Sequence, residues 1–187
     1  MSRTPEQLLA LLEQAEQGPS GPPVDKWDPP LSGDMDMRIA ADGTWYHEGD
    51  PIRRHALVKL FASILRLDGD DYVLVTPVEK WRIQVDDLPF VAHSVDRVQR
   101  DGQTRLLFTT NVDDLVVADD SHPLTVPMTA DGEPRPQILV RRNLLARVGR
   151  TAFYQLVDWA SPEQEGGESC LVLYSGASRI VLGSMDA

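Results

Sequence analysis

The sequence predicts an α+β protein: two tandem, related strand–helix–strand modules with antiparallel-rich sheets, preceded by a helix. Three observations carry this. Hairpin-type turn signals recur at Asp42-Gly43, Asp101-Gly102 and Asp131-Gly132. Two stretches, 53–66 and 142–158, place apolar residues at helical spacing. Segments of the first half also match segments of the second at a nearly constant offset.

The elements follow in order. Thr4 is an N-cap with Pro5 at the first helical position and Gln7 three residues on, a capping box. Leu8, Leu11, Leu12 and Ala15 then repeat at helical spacing. Gly18-Pro19-Ser20-Gly21-Pro22-Pro23 ends this helix and reads as a linker. The helix docks either on its own domain or on a partner. Met35, Met37 and Ile39 alternate with Asp36 and Arg38 as a half-buried strand, and Trp45-Tyr46 starts its return. Leu57, Leu60, Phe61, Ile64 and Leu65 form one helical face, with Phe61 in its middle. Tyr72–Val75 is a short buried strand. Trp81, Ile83 and Val85 mark another after Thr76-Pro77.

In the second half, Leu106-Leu107-Phe108 follows a turn, and Leu145, Val148, Ala152 and Leu156 form a second helical face. Residues 162–168 read as a polar loop, and 170–174 and 179–182 as strands. Pro51-Ile52-Arg53-Arg54 matches Leu139-Val140-Arg141-Arg142 at an offset of 88, which also sets Leu57 against Leu145 and Leu60 against Val148. Duplication accounts for this, and so does the hydrophobic pattern common to any two such units. The expected domains are 1–23 (helix and linker), 24–88 and 89–187.

Composition narrows the function classes. The 187 residues carry 18 Lys and Arg against 29 Asp and Glu, a net charge of −11. Such a field repels phosphate backbones and anionic lipids, so direct nucleic-acid or membrane-surface binding is not expected. The N-terminus shows no basic patch followed by an apolar core, and no apolar run approaches the ~20 residues of a span. The lone cysteine, Cys170, lies in the apolar run 170–173 and reads as a buried thiol. A cytoplasmic, reducing compartment fits.

Catalytic constellations are not evident. His47, His55, His93 and His122 are scattered, with no zinc-type spacing. No nucleophile elbow, dinucleotide fingerprint or phosphate loop is present. The acidic pairs at 70–71, 86–87, 113–114 and 119–120 match no calcium loop and read as solvated turns. No catalytic residue, metal or cofactor is expected.

The arginine pairs Arg53-Arg54 and Arg141-Arg142 are the notable feature. Both fall near expected helix starts, where the macrodipole disfavours cations. An anion held by backbone N–H groups and guanidinium explains them. The alternative explanation is pairing with Asp50, Glu79 or another local carboxylate. Thr76-Pro77-Val78-Glu79-Lys80 is the second candidate: either a functional bend presenting Glu79 and Lys80, or a β-bulge with a surface ion pair.

These residues also carry a family resemblance. Trp45 through Arg53, Leu57-Val58 with Leu60-Phe61, and Asp68-Gly69 with Tyr72 and Leu74 resemble the DUF1285 family. So do Thr76 through Lys80, and Val85, Asp87 and Pro89-Phe90. The run Phe108-Thr109-Thr110-Asn111 and Arg141-Arg142 are similar to it as well. The resemblance spans roughly 42–182, with 76–80 its most specific part; the first helix and linker lie outside. It implies a duplicated α+β core, a second half loosely like pleckstrin-homology folds, and no established activity. It further implies a site between the halves for a nucleotide-like molecule in signalling, in bacterial proteins.

The expectation is therefore a small-molecule-binding protein. Its anionic or nucleotide-like ligand would be held at the module interface by Arg53, Thr76, Glu79, Lys80, Arg141 and Arg142. The alternative is a protein-interaction scaffold without a small-molecule ligand, using a sheet edge or the N-terminal helix. A hydrolase has least support.

Overall fold

The computed structural model describes residues 2–18 and 21–186. Pro19 and Ser20 of the expected linker lie outside them. The chain divides into two units, Pro19–Phe90 and Met1–Gly18 with Val91–Ala187. The fold is α+β and antiparallel-rich, as the turn signals require.

The first helix, α1 (Pro5–Glu16), has the expected capping box: the Thr4 side chain accepts from the Gln7 amide, and the Gln7 side chain accepts from the Thr4 amide. It belongs to the second unit.

The first unit has one six-stranded sheet. Its strands are β1 (Gly33–Ile39), β2 (Trp45–His47), β3 (Asp50–Pro51), β4 (Leu65–Asp68), β5 (Asp71–Val75) and β6 (Lys80–Val85), in the order β3-β2-β1-β6-β5-β4. The β1–β6 pair is parallel; the strand pairs on either side of it are antiparallel. A parallel pair needs a crossover, and α2 (His55–Ser63) lies within it. This helix is shorter than the expected 53–66. The Leu65–Asp68 segment instead pairs with Asp71–Tyr72–Val73–Leu74, because Gly69, at φ 60°, closes a tight hairpin there. The helix is also rotated from its expected face. Val58 and Ala62 are buried, Phe61 is half-buried on Trp45 with ring centroids 6.3 Å apart, and Leu60 is 59% exposed.

The second unit has a six-stranded sheet of β7 (Phe90–Arg100), β8 (Gln103–Thr110), β9 (Leu115–Val117), β10 (Leu124–Thr125), β11 (Gln137–Arg141) and β12 (Leu144–Val148), in the order β10-β11-β12-β7-β8-β9. Then come α3 (Arg150–Trp159) and a three-stranded sheet of β13 (Ser161–Glu165), β14 (Glu168–Ser175) and β15 (Ser178–Ser184). Leu106 through Thr110 of β8 are all buried. A strand buried on consecutive positions must be covered on both faces. On one face the cover is α1: Leu12, fully buried, packs with Val98, Leu107 and Val117, flanked by Leu8, Leu11, Ala15 and Leu115. Arg3–Asp96 (2.9 Å) and Glu16–Arg100 pair the helix ends with β7. The helix expected as part of a separate segment 1–23 thus completes a core.

Two further expectations are corrected. The stretch 142–158 is not one helix: Leu144, Ala146 and Val148 alternate inward on β12, and only Ala152 and Leu156 form the buried face of α3. Gly149 separates the two, its amide bonded to the Ala92 carbonyl at 2.9 Å. The 162–168 loop is largely β13 with a Gly166-Gly167 turn. The two units share a class, a six-stranded antiparallel-rich sheet with a helix of 9 or 10 residues. The offset of 88, however, sets helical Leu57 and Leu60 against Leu145 and Val148 of a strand.

Candidate functional site

The segment Thr76–Lys80 is a tight hairpin turn between β5 and β6, neither a bulge nor an open bend. The Thr76 amide donates to the Glu79 carbonyl at 2.8 Å, and its Oγ1 accepts from the amides of Val78 (3.3 Å) and Glu79 (3.0 Å). Glu79 accepts from the Trp81 indole at 3.4 Å. Lys80 starts β6, with its Nζ 3.6 Å from Asp68 and only 17% of its side chain exposed. Asp68 also takes a two-pronged bond from Arg66 at 2.7 and 2.9 Å, and Arg66 reaches the carbonyls of Val24 and Trp27, both at 2.6 Å. The Arg66 hydrogen bonds, more than its charge or that of Lys80, hold the Asp68 carboxyl below its ordinary value. Thr76, Glu79 and Lys80 therefore brace a turn, while Arg66, held by Asp68, ties the 24–27 segment to the sheet.

Arg141 and Arg142 are not at a helix start. Arg141 ends β11, and Arg142, at φ 51°, lies in the turn to β12. The Arg141 side chain is 10% exposed and its Nη1 lies 2.5 Å from Asp114 Oδ2. The Asp114 amide is held in turn by the buried Thr110 hydroxyl at 3.1 Å, and Asn111 Oδ1 accepts from the Val91 amide at 3.0 Å. The Phe108–Asn111 run is thus a turn-forming device, and of the two readings offered for the arginines, carboxylate pairing is the one seen at Arg141.

Arg53 and Arg54 are exposed before α2; Arg54 is its N-cap and makes no side-chain capping bond. The dipole argument holds at this one pair. Arg53 and Lys80 lie in one unit and Arg141 and Arg142 in the other. His47 and His93 are exposed on strands, His122 meets Asp119 at 3.1 Å in a turn, and Cys170 is buried. Among the described residues, no three metal-ligating side chains cluster and no helix is long and apolar enough to cross a membrane.

A concavity opens elsewhere, inside the second unit. A cleft of about 430 Å³ lies between the β7–β8 hairpin, the end of α3, and strands β13 and β14. Buried Leu106, Val172 and Leu173 line it. Trp159 is one wall, with the Arg97 guanidinium 4.4 Å from its ring centroid. No carboxylate of the described residues pairs with that guanidinium. Tyr174, 48% exposed, donates its hydroxyl to Glu163, both oxygens lying at 3.1 Å. Sequence reading missed all four of these side chains. Glu163 stood in an expected loop, and Arg97 lies 62 positions from Trp159 with no local pattern joining them.

The model of the DUF1285 N-terminal domain, a domain of unknown function, matches residues 22–88. That of the DUF1285 C-terminal domain matches residues 89–182. A DUF1285 family protein from Silicibacter pomeroyi DSS-3, known by crystal structure, is 44% identical. The similarity covers 94% of this chain and 96% of that one, with a TM-score of 0.80. A second crystal structure, of a DUF1285 family protein from Shewanella baltica OS155, is 31% identical over 66% of this chain and 91% of that one, with a TM-score of 0.53. No curated protein matches.

Proposed function

The chain belongs to the DUF1285 family, and we propose that it works by binding rather than by turnover, as a cytoplasmic protein that holds a small ring-bearing anion of nucleotide-like chemistry. The ligand sits in the cleft of the second unit, and a signalling role would follow from binding without reaction. One observation carries this reading: Arg97 and Trp159 stack at 4.4 Å in the wall of a cleft of about 430 Å³. An indole face is a stacking platform for a planar ring, and a guanidinium is a strong donor to phosphate or carboxylate. The apolar lining of Leu106, Val172 and Leu173 supplies burial, and Glu163 and Gln103 supply polar groups for orientation. The volume falls in the range of ~300–1,000 Å³ typical of small-molecule sites. Binding is favoured over turnover because His47 and His93 stand singly and His122 is engaged by Asp119.

A thermal-shift screen of nucleotides and phosphorylated metabolites tests the reading, followed by calorimetry on Trp159→Ala and Arg97→Ala. A ligand at 100 times its Kd stabilises by ~2.7 kcal/mol. Arg97→Ala should bind roughly tenfold or more weakly, from the loss of ~1.5–3 kcal/mol at a charged hydrogen bond, and Trp159→Ala several-fold to tenfold more weakly, from the loss of ~0.5–1.5 kcal/mol at a stacked ring. Variants that bind as tightly as the parent protein, or a screen with no stabilising compound, would rule this cleft out.

A further inference from the structure

We propose that helix α1 is the positioning element of the cleft: by gripping the far face of β7 it sets Arg97 against Trp159, so that the cation of the cleft stands in place only while α1 is docked. The support itself involves no ligand; its bearing on binding rests on the cleft being a ligand site. Successive residues of a strand point to opposite faces. On β7, Asp96, Val98 and Arg100 share one face, and Arg97 shares the other with Leu106, its cross-strand partner on β8 and a fellow lining residue of the cleft. The first face is the one α1 holds. Arg3, just ahead of the helix cap, bonds Asp96 at 2.9 Å; Leu12 packs on Val98; Glu16 pairs with Arg100. Both ends and the middle of the helix thus fix three alternate positions, and Arg97 lies between the first two.

The other walls of the cleft are held by other means. Toward the hairpin tip β9 no longer pairs with β8, the register ending at Leu107. There β8 is tied to the end of β14: the Leu106 amide donates to the buried Ser175 hydroxyl at 2.9 Å, and the Gly176 amide to the Thr104 carbonyl at 2.7 Å. Trp159 ends α3, whose buried Ala152 and Leu156 anchor it. A single exposed cation–π contact is too weak to hold a strand. The 4.4 Å approach of Arg97 to the Trp159 ring therefore follows from where β7 has been set.

The helix also has the energetics of a two-state element. Its 12 residues are too few to stay helical alone in water. Leu12 is fully buried, but Leu8, Leu11 and Ala15 are only partly so, and both end pairs are exposed enough for salt to screen them. Loss of contacts and loss of helix therefore coincide, as a local opening that leaves the rest of the unit folded. A ligand held by Arg97 favours the docked state, and docking raises the affinity for that ligand by the same factor.

Proton–nitrogen NMR on the ligand-free full chain tests the support, with the Arg97 Nε–H and Trp159 indole signals identified by their loss in Arg97→Lys and Trp159→Phe. Across the parent protein, Leu12→Val, Leu12→Ala and Glu16→Arg, the ring-current shift of Arg97 Nε–H should shrink in step with the amide protection of α1, while the amides of β14 and β15 stay unchanged. An Arg97 signal that holds still as α1 protection falls, or an α1 that opens only together with β14 and β15, would overturn the proposal. Calorimetry with adenosine monophosphate then tests the coupling. Leu12→Ala should weaken binding several-fold, by the inverse of its docked fraction, and Arg97→Ala should cost less affinity in the Leu12→Ala background than in the parent. Equal affinity of the parent and Leu12→Ala proteins would overturn the coupling. A parent protein that shows no binding would count against the cleft as a ligand site, whereas the NMR series, which needs no ligand, still decides whether α1 positions Arg97.

Discussion

Replacing Arg141 by alanine should destabilise the second unit, and the size of the loss follows from the geometry around it. Its guanidinium lies 2.5 Å from Asp114 with 10% of the side chain exposed, whereas Asp114 keeps 32% of its own. Removing one partner of a fully buried pair costs about 3–5 kcal/mol, because the other charge is left without compensation. Water reaches a third of Asp114 and recovers part of that, so about 2–3 kcal/mol is expected for the variant. For a chain of this size, ~1 kcal/mol moves Tm by ~2–4 °C, so the unit should melt roughly 5–10 °C lower. Differential scanning calorimetry of the ligand-free protein measures this. Arg53→Ala with Arg54→Ala is the control. Both cations are exposed at a helix N-terminus, so their removal should leave Tm unchanged or raise it by up to ~1 kcal/mol equivalent. An Arg141→Ala protein that melts as the parent does but loses affinity for a nucleotide would refute the structural assignment and return Arg141 to a binding role.

Two further predictions concern packing and pH. Leu12→Ala should cost about 2–3 kcal/mol, the low end of the range for a buried leucine because a surface helix can settle, read as lower Tm and faster amide exchange in α1 and β8; a loss under ~0.5 kcal/mol would mean that the helix does not close the core. Asp68→Asn should cost ~1 kcal/mol near neutral pH after allowance for solvent at a partly exposed pair. The folded carboxyl titrates below its ordinary value of 3.8, chiefly through its hydrogen bonds from Arg66, so its stabilisation is full above that value and is lost as pH falls through the lower folded value. The Tm gap between parent and variant should narrow below about pH 4, and a gap independent of pH would show that Asp68 is not the titrating group.

The sequence by itself determined the class of fold, the cap of α1 and most turns, because these depend on neighbours in the chain. Thr4 and Gln7 cap α1 as expected, and Asp101 and Gly102, at φ 52° and 77°, form the turn that their identities require. The tertiary structure decided what long-range pairing controls. Leu65 and Leu145 read as helical, yet strand partners at Leu74 and Leu139 draw both into sheets. β7 escaped periodicity because its register shifts between Ala92 and Ser94 and because Val95 and Val98 are buried on a strand covered on both faces. The same limit applied to the candidate site. Thr76, Glu79, Lys80 and Arg141 stood out by type and position; Thr76 and Glu79 brace their turn through near neighbours, but only the distant partners Ser32, Asp68 and Asp114 show what Lys80 and Arg141 hold. The Arg97–Trp159 wall of the cleft joins residues 62 positions apart. No local pattern encodes such a contact, since it exists only once the β7–β8 hairpin and the end of α3 have packed together.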